Sequence, residues 1–314
     1  MAWCASQWLT NMTEGCPNPA ICWLGQAECH DSALVGGKAA HLSQLSAAFR
    51  VPSGFCLTTA AFDHATFDGQ VEDVAAQSRG GLTDAVYEAL AHAYVQLGER
   101  CGQVAPPVAV RSSAVDEDGI SASFAGQHET LLNIAGVEAV AQAAVQCWRS
   151  ACSHRARAYR CQRGLMPDTV RLAVLVQQLV AADCSAVLFS ANPITGNRGE
   201  LMINASWGLG ESIVGGTVTP DTYVLRAADL TVISQHIAEK QRMTVPVAEG
   251  TREVDVPRFL RLRPTLSDDQ IAELGRLALA LEAVMGGPVD VECAYAAGRL
   301  YVLQCRPITA LARE

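Results

Sequence analysis

The second half of the chain is a succession of short apolar runs. Residues 172–180, 184–190, 200–206, 222–226 and 231–238 are rich in Val, Ile and Leu, and Asn192-Pro193, Gly196-Asn197, Gly208 to Gly210 and Gly215-Gly216 separate them. Runs of this length bounded by turn-forming residues read as β-strands. The first half shows helical spacing instead, with helices predicted over 39–49, 60–77, 82–100 (Thr83 as N-cap) and 137–160. Between these lie a short strand after Val51-Pro52-Ser53-Gly54-Phe55 and a strand, Val108 to Ser113, running into a polar loop from Ala114 to Gly126. One further helix, 267–285, precedes two final strands, and residues 1–30 carry no clear period. The change of texture predicts an α+β chain of two parts, a mixed lobe over 1–176 and a strand-rich lobe over 177–314.

The last two strands carry the most specific pattern. Val289 to Tyr295 and Leu300 to Thr309 form an apolar hairpin interrupted by Glu292, Gln304 and Arg306. Because successive strand side chains alternate between faces, a two-residue turn would put Glu292 and Gln304 on opposite sides. A three-residue turn, Ala296-Ala297-Gly298, ending in a left-handed glycine puts Glu292, Gln304 and Arg306 on one face, with Asp290 beside them. That face offers oxygen ligands for Mg²⁺ next to a guanidinium fork for phosphate. Pattern alone is equally compatible with three solvated polar residues.

Bulk properties narrow the class. Half of the 314 residues are hydrophobic and the mean hydropathy is +0.16, as in a core-rich globular protein. The net charge of −9 argues against nucleic acid or an anionic membrane as partner, so any phosphate must meet locally concentrated positive charge. Of the 23 basic residues only Lys38 and Lys240 are lysines. The 12 cysteines form no C-x-x-C pair, and the spacing of Cys16, Cys22, Cys29 and His30 is irregular for zinc, which suits a reducing compartment. No basic-then-apolar leader is evident, and Gln177, Gln178 and Asp183 interrupt the most apolar stretch, so the expectation is a cytoplasmic protein.

Two other constellations suit phosphate chemistry. Gly36-Gly37-Lys38 opens a helical stretch, placing an ammonium next to free backbone N–H groups; it lacks the spacing of a Walker A loop, and such a glycine pair is more often a tight turn. Arg111 stands at a strand end before the Ser-, Gly- and Asp-rich loop 114–126, which either closes over a polyphosphate or is a solvated surface loop.

Taken together, the ordered motifs resemble a known family. They are Gly-Gly-Lys-Ala-Ala-His-Leu (36–42), Val-Pro-Ser-Gly-Phe (51–55), Val-Arg-Ser-Ser-Ala (110–114), Ala-Ser-Phe-Ala-Gly-Gln-His-Glu-Thr (122–130) and Val-Leu-Phe-Ser-Ala-Asn-Pro-Ile-Thr-Gly (187–196). Trp-Gly-Leu-Gly-Glu (207–211), Pro-Asp-Thr-Tyr (220–223) and Leu-Gln-Cys-Arg-Pro-Ile-Thr (303–309) continue the series. The set is similar to the N-terminal nucleotide-binding domain of phosphoenolpyruvate synthases, pyruvate phosphate dikinases and rifampicin phosphotransferases. The resemblance implies an ATP-grasp fold, two lobes with a nucleotide cleft between them, using ATP and Mg²⁺. It assigns Lys38 and Arg111 to the ATP phosphates, Gly126 to a covering loop and Thr130 to the same ligand. Gln177, Gln178, Leu179 and Val180 would offer backbone to adenine, Glu292 and Gln304 would ligate Mg²⁺, and Arg306 would stabilise the transferring phosphoryl group.

What the resemblance implies for activity is a dikinase-type phosphotransferase. It would cleave ATP to AMP and phosphate and pass a phosphoryl group through a histidine carrier to a small acceptor such as pyruvate or a rifamycin-like compound. None of the seven histidines has the carrier setting of the family, so the carrier is expected on a separate domain or protein. Two readings stay open beside this one, a free-standing ATP-grasp kinase or ligase acting directly on a metabolite and a non-catalytic nucleotide-binding regulatory module.

Overall fold

The computed structural model describes residues 19–65, 82–115, 129–151 and 171–308. Two compact units emerge, Met1–Ala48 with Pro52–Leu179, and Phe49–Val51 with Val180–Glu314. The division falls three residues beyond the expected boundary, because Gln177 and Gln178 continue a strand of the first unit, opposite Ala109 and Val108.

In the first unit five strands form one antiparallel sheet, ordered β1 (Ile21–Trp23), β2 (Gly54–Leu57), β5 (Leu172–Gln178), β3 (Val108–Ala114) and β4 (Thr130–Ile134). β1 lies in a stretch without apolar period, and three residues are too few to show one. The central strand β5 is buried over all but its last residue, as its unbroken apolar run requires. One face of the sheet meets α3 (Asp84–Cys101) and α4 (Val137–Ala151) around Phe55, Leu57, Leu90, Tyr94, Val110, Trp148, Val174 and Val176. The edge of this core is tied by Tyr94, whose hydroxyl donates to Pro106 O at 2.8 Å and accepts from Gly136 N at 2.9 Å. α1 (Ser32–Leu45) starts earlier than its apolar spacing predicts and is broken at Gly36, and α2 (Thr59–Ala65) follows β2.

The second unit holds a six-stranded antiparallel sheet: β13 (Arg299–Pro307), β12 (Val289–Ala296), β6 (Cys184–Phe189), β7 (Glu200–Trp207), β8 (Asp221–Arg226) and β9 (Val232–His236), in that order. The single turn α5 (Glu211–Val214) follows β7. α6 (Asp268–Met285) packs Ile271, Leu274, Ala278 and Leu281 inward; Ser267 and Gln270 close a capping box at its start and left-handed Gly286 ends it. Residues 49–51 travel with this unit because Arg50 O accepts Val302 N–H at 2.9 Å and its guanidinium lies 5.7 Å from the Tyr301 ring. No helix among the described residues is long and apolar enough to cross a membrane.

A hairpin of β10 (Arg242–Pro246) and β11 (Thr251–Asp255) went unforeseen, since its residues are mostly polar and only one of them is buried. Charge pairing (Arg242 Nη1 to Asp255 Oδ1, 3.1 Å) and attachment to the end of β7 hold it. Leu209 N–H donates to Thr244 O at 2.9 Å, and a Cβ at Gly208 would lie 2.4 Å from that same oxygen, so only glycine admits the approach.

Beyond β8 the chain is pinned by a wholly buried ion pair. Asp221 Oδ1 accepts from Lys240 Nζ and from Ala238 N–H, while Oδ2 accepts Thr265 N–H and Oγ1–H, both at 2.8 Å. Both side chains are 0% exposed, and four donors satisfy one carboxylate. Removing one partner of such a pair strands a charge in low dielectric, at a cost of about 3–5 kcal/mol. Lys240→Ala is expected to lower unfolding stability by about that amount in urea melts, and a loss below about 1 kcal/mol would contradict a structural role for the pair.

Candidate functional site

The sequence-predicted residues fall into two groups, one in each unit. In the first, the two sides of the sheet have different chemistry. Val110, Val174 and Val176 point into the helical core, so their neighbours Arg111, Ser113 and Gln177 point the other way. Thr130, paired with Arg111, shares that face. Arg111 is only 8% exposed, which makes its guanidinium a concentrated, partly desolvated positive charge.

Lys38 reaches the same strand, β3, through the break in α1. Gly36 adopts φ 76, ψ 164, a left-handed φ that few residues other than glycine tolerate. A Cβ there would lie 2.2 Å from Ser113 O. With no Cβ, the helix closes onto β3: Ala39 N–H donates to Ser113 Oγ at 3.2 Å, and Lys38 Nζ donates to Ser112 O at 3.1 Å. Helical geometry resumes after Gly36, so Lys38 sits in the first turn of the continuing helix, where N–H groups are unused by the helix. The structure thus brings Lys38 onto the residue next to Arg111, in the middle of β3 and not at the strand end expected for Arg111.

Gln177 is buried, and its Nε2 donates to Pro52 O at 3.3 Å. Gln178 N–H donates to Ser53 O at 2.8 Å and Leu179 N–H to Pro107 O at 2.9 Å, so these two amides are committed within the protein. Gly126 lies outside the described residues.

In the second unit the hairpin joins Glu292 and Gln304 by a route other than the expected one. Ala296 pairs with Arg299, so the turn is the two residues Ala297 and Gly298, with φ 49 and 71, both left-handed as a type I′ turn requires. A two-residue turn alone would separate Glu292 from Gln304. The register slips between Glu292 and Cys293, where the partners jump from Gln304 to Val302 and leave Leu303 as a bulge. The bulge restores the parity, and Glu292 faces Gln304 directly while Asp290 faces Arg306. The expected three-residue turn is wrong, and the shared face it was meant to produce is present.

On that face Asp290 Oδ2 accepts from Arg306 Nε at 2.9 Å and Nη2 at 2.7 Å. One oxygen holding two nitrogens fixes the plane of the guanidinium. Burial pushes the Asp290 carboxyl above the ordinary carboxylate range, opposed by Arg306 and reinforced by Glu292. Behind this face Val289, Val291, Cys293 and Cys305 are all buried, so the polar face is held by a packed apolar one. Asp290 was the residue whose partner sequence reasoning missed, because the turn and bulge that set it opposite Arg306 leave no mark in the sequence.

The donor set suits Mg²⁺, which takes few protein oxygens and completes its octahedron with water and phosphate. Glu292 and Gln304 supply a carboxylate and an amide oxygen at one cross-strand position. Among the described residues no group of three or more His, Cys, Asp or Glu is arranged to hold a metal ion, and the described cysteines are free.

Residues 74–314 match the family described as pyruvate phosphate dikinase, AMP/ATP-binding domain. A probable phosphoenolpyruvate synthase of Methanocaldococcus jannaschii is 39% identical over 95% of this chain and 27% of its own length. The phosphoenolpyruvate synthase of Pyrococcus furiosus is 34% identical over 94% of the chain and 44% of its own. A rifampicin phosphotransferase of Streptomyces sviceus is 37% identical over 89% and 34%, so the chain spans less than half of each of these relatives. With residues 74–314 matched, the chain belongs to the pyruvate phosphate dikinase AMP/ATP-binding domain family.

Proposed function

We propose that this chain is the ATP-binding part of a dikinase-type phosphotransferase, in which ATP is split to AMP and phosphate and a phosphoryl group leaves on a histidine carrier for a small acceptor. The observation that carries the reading is the Glu292–Gln304 pair with Arg306 held beside it by Asp290. The relatives' names supply the acceptor class, a pyruvate-like or rifamycin-like molecule.

In this reading each unit has its own task. Lys38 and Arg111 neutralise the triphosphate, the first as a mobile point charge and the second as a planar fork on a rigid strand. Thr130 supports the same ligand from the neighbouring strand. Gln177 keeps the end of β5 in place through Pro52 O, and the adenine edge draws on Val180 N–H and on carbonyl oxygens of 177–179. Glu292 and Gln304 hold Mg²⁺, which when bound neutralises phosphate oxygens and orients them. Arg306 stabilises the charge that develops on the transferring group, and its fixed plane spares reorganisation at that moment. The free cysteines fit a reducing, cytoplasmic setting.

The discriminating experiment incubates the chain with ATP, Mg²⁺ and an acceptor panel, with and without a histidine carrier domain from a phosphoenolpyruvate synthase. AMP formation that requires the carrier is expected. ADP or AMP formed without it, given an acceptor, would replace this reading by direct phosphorylation or ligation, and binding without turnover by a regulatory module. Calorimetry is expected to give micromolar to sub-millimolar binding of ATP–Mg²⁺, and no heat at millimolar nucleotide would refute it. Lys38→Ala and Arg111→Ala should each weaken binding or turnover by about 2–4 kcal/mol, with the fold retained; unchanged activity in both removes them from the site. Glu292→Gln should abolish Mg²⁺-dependent transfer while metal-free nucleotide binding persists. Equal activity of that variant at saturating Mg²⁺ would sink the metal assignment.

A further inference from the structure

The pairing that sets Glu292 opposite Gln304 continues across the second sheet. Glu292 stands opposite Val187, Val187 opposite Asn204, and Asn204 opposite Thr222. Residues paired directly across strands point to the same side, so Gln304, Glu292, Val187, Asn204 and Thr222 form one row on one face. The other face is the packed one. Leu188, Ile203, Tyr223 and Leu225 are buried there, and a Cβ at Gly275 of α6 would lie 3.1 Å from Leu225 Cδ2. On the face of the row Val187, Phe189, Asn204, Thr222 and Val224 are all half-buried. The face that carries the oxygen pair is therefore half-open as far as β8.

Asn204 presents a fixed donor on that face. Thr222 Oγ1–H donates to Asn204 Oδ1 at 2.9 Å, which sets the amide plane and turns Nδ2 away from Thr222. Among the described residues Thr222 is the one side-chain partner of Asn204, so the Nδ2 hydrogens are left for ligand or water. Thr222 is itself anchored, because it follows Asp221, the carboxylate pinned by Lys240 and Thr265. A donor held in this way loses little freedom when an acceptor arrives.

We infer that Asn204, oriented by Thr222, donates Nδ2–H to the phosphate chain of the nucleotide beyond its α-phosphate, an inference that rests on the ATP-binding function proposed above. Two strand spacings, about 9.5 Å, separate Asn204 from Glu292, a span that a chain of phosphates covers and a single oxygen atom does not. Val187 lies between them and offers no hydrogen bond, so a polyphosphate held at Glu292 meets its next donor of this row at Asn204. An anionic oxygen takes an N–H more strongly than a neutral one does. On the neighbouring row the Arg306 guanidinium is already shared with Asp290, and an uncharged amide adds anion binding without a second half-buried cation.

Calorimetry with ATP–Mg²⁺ and with AMP tests the contact, since only ATP carries the phosphates that Asn204 would touch. Asn204→Leu is expected to weaken ATP–Mg²⁺ binding about tenfold or more, as for a lost hydrogen bond to a charged group, and to leave AMP affinity within about twofold of wild type. Thr222→Val removes only the orienting hydroxyl and should weaken ATP–Mg²⁺ by about threefold with the same selectivity. Asn204→Asp, nearly isosteric, sets a carboxylate against phosphate and should cost more affinity than Asn204→Leu. Variants are compared only where their urea melts match wild type; if Asn204→Leu does not fold, the other two carry the test. Unchanged ATP–Mg²⁺ affinity in the Asn204 variants, or equal loss of ATP and AMP binding, would overturn the contact. Normal ATP binding with slowed phosphoryl transfer would overturn it too, moving the amide to the acceptor. Wild-type protein that binds no ATP–Mg²⁺ would instead overturn the ATP-binding function, and this contact with it.

Discussion

Strand side chains alternate between two faces, and the chemistry of the second unit depends on that alternation being broken once. Every residue of β12 and β13 takes its surroundings from the parity of the pairing. With the two-residue turn alone, Gln304 would turn toward the apolar side occupied by Cys293 and Val291. The extra residue at Leu303 exchanges the faces between the turn and the site, leaving the turn tight and the site aligned. It also lets the same strand pair be apolar behind and charged in front, so packing under α6 holds the polar face without a polar atom being buried on the wrong side.

The first unit solves a different problem, how to keep positive charge on the middle of a strand without leaving it buried and unsupported. Arg111 belongs to a strand whose other face is core, so it inherits the rigidity of that core. Lys38 comes from a helix that approaches the same strand only because Gly36 presents no side chain to Ser113. The two cations differ accordingly. One is fixed by a sheet, the other is carried by a flexible stem anchored at its base.

What was legible in the sequence follows the strength of each physical signal. The apolar runs gave β5 through β9 to within about two residues; burial of nearly the whole strand explains the unbroken run of β5, whereas β9 is exposed throughout and was marked only by its Val and Ile. The β10–β11 hairpin left no such signal, because charge pairs and the Gly208 contact hold it rather than a core. The bulge was illegible for a related reason. Leu303 is an ordinary leucine in an apolar strand, and nothing in its identity marks it as the residue without a partner. Even Gly298 was read correctly as left-handed and placed in the wrong turn, since Ala297 shares that conformation at φ 49, a region alanine seldom enters. The residue types of the candidate site and their shared face were readable; the turn and the bulge that align them were not.

The scarcity of lysine has a practical meaning once the structure is known. Of the two lysines, Lys240 is sealed in its ion pair with no exposed surface, while Lys38 is partly exposed beside Ser112 O. The folded chain therefore presents solvent with a single ε-amine, beside the middle of β3 where Arg111 lies. An amine-directed reagent has one side-chain address on this protein, and a fluorophore or affinity tag attached there would report from the candidate phosphate site of the first unit without any engineered cysteine.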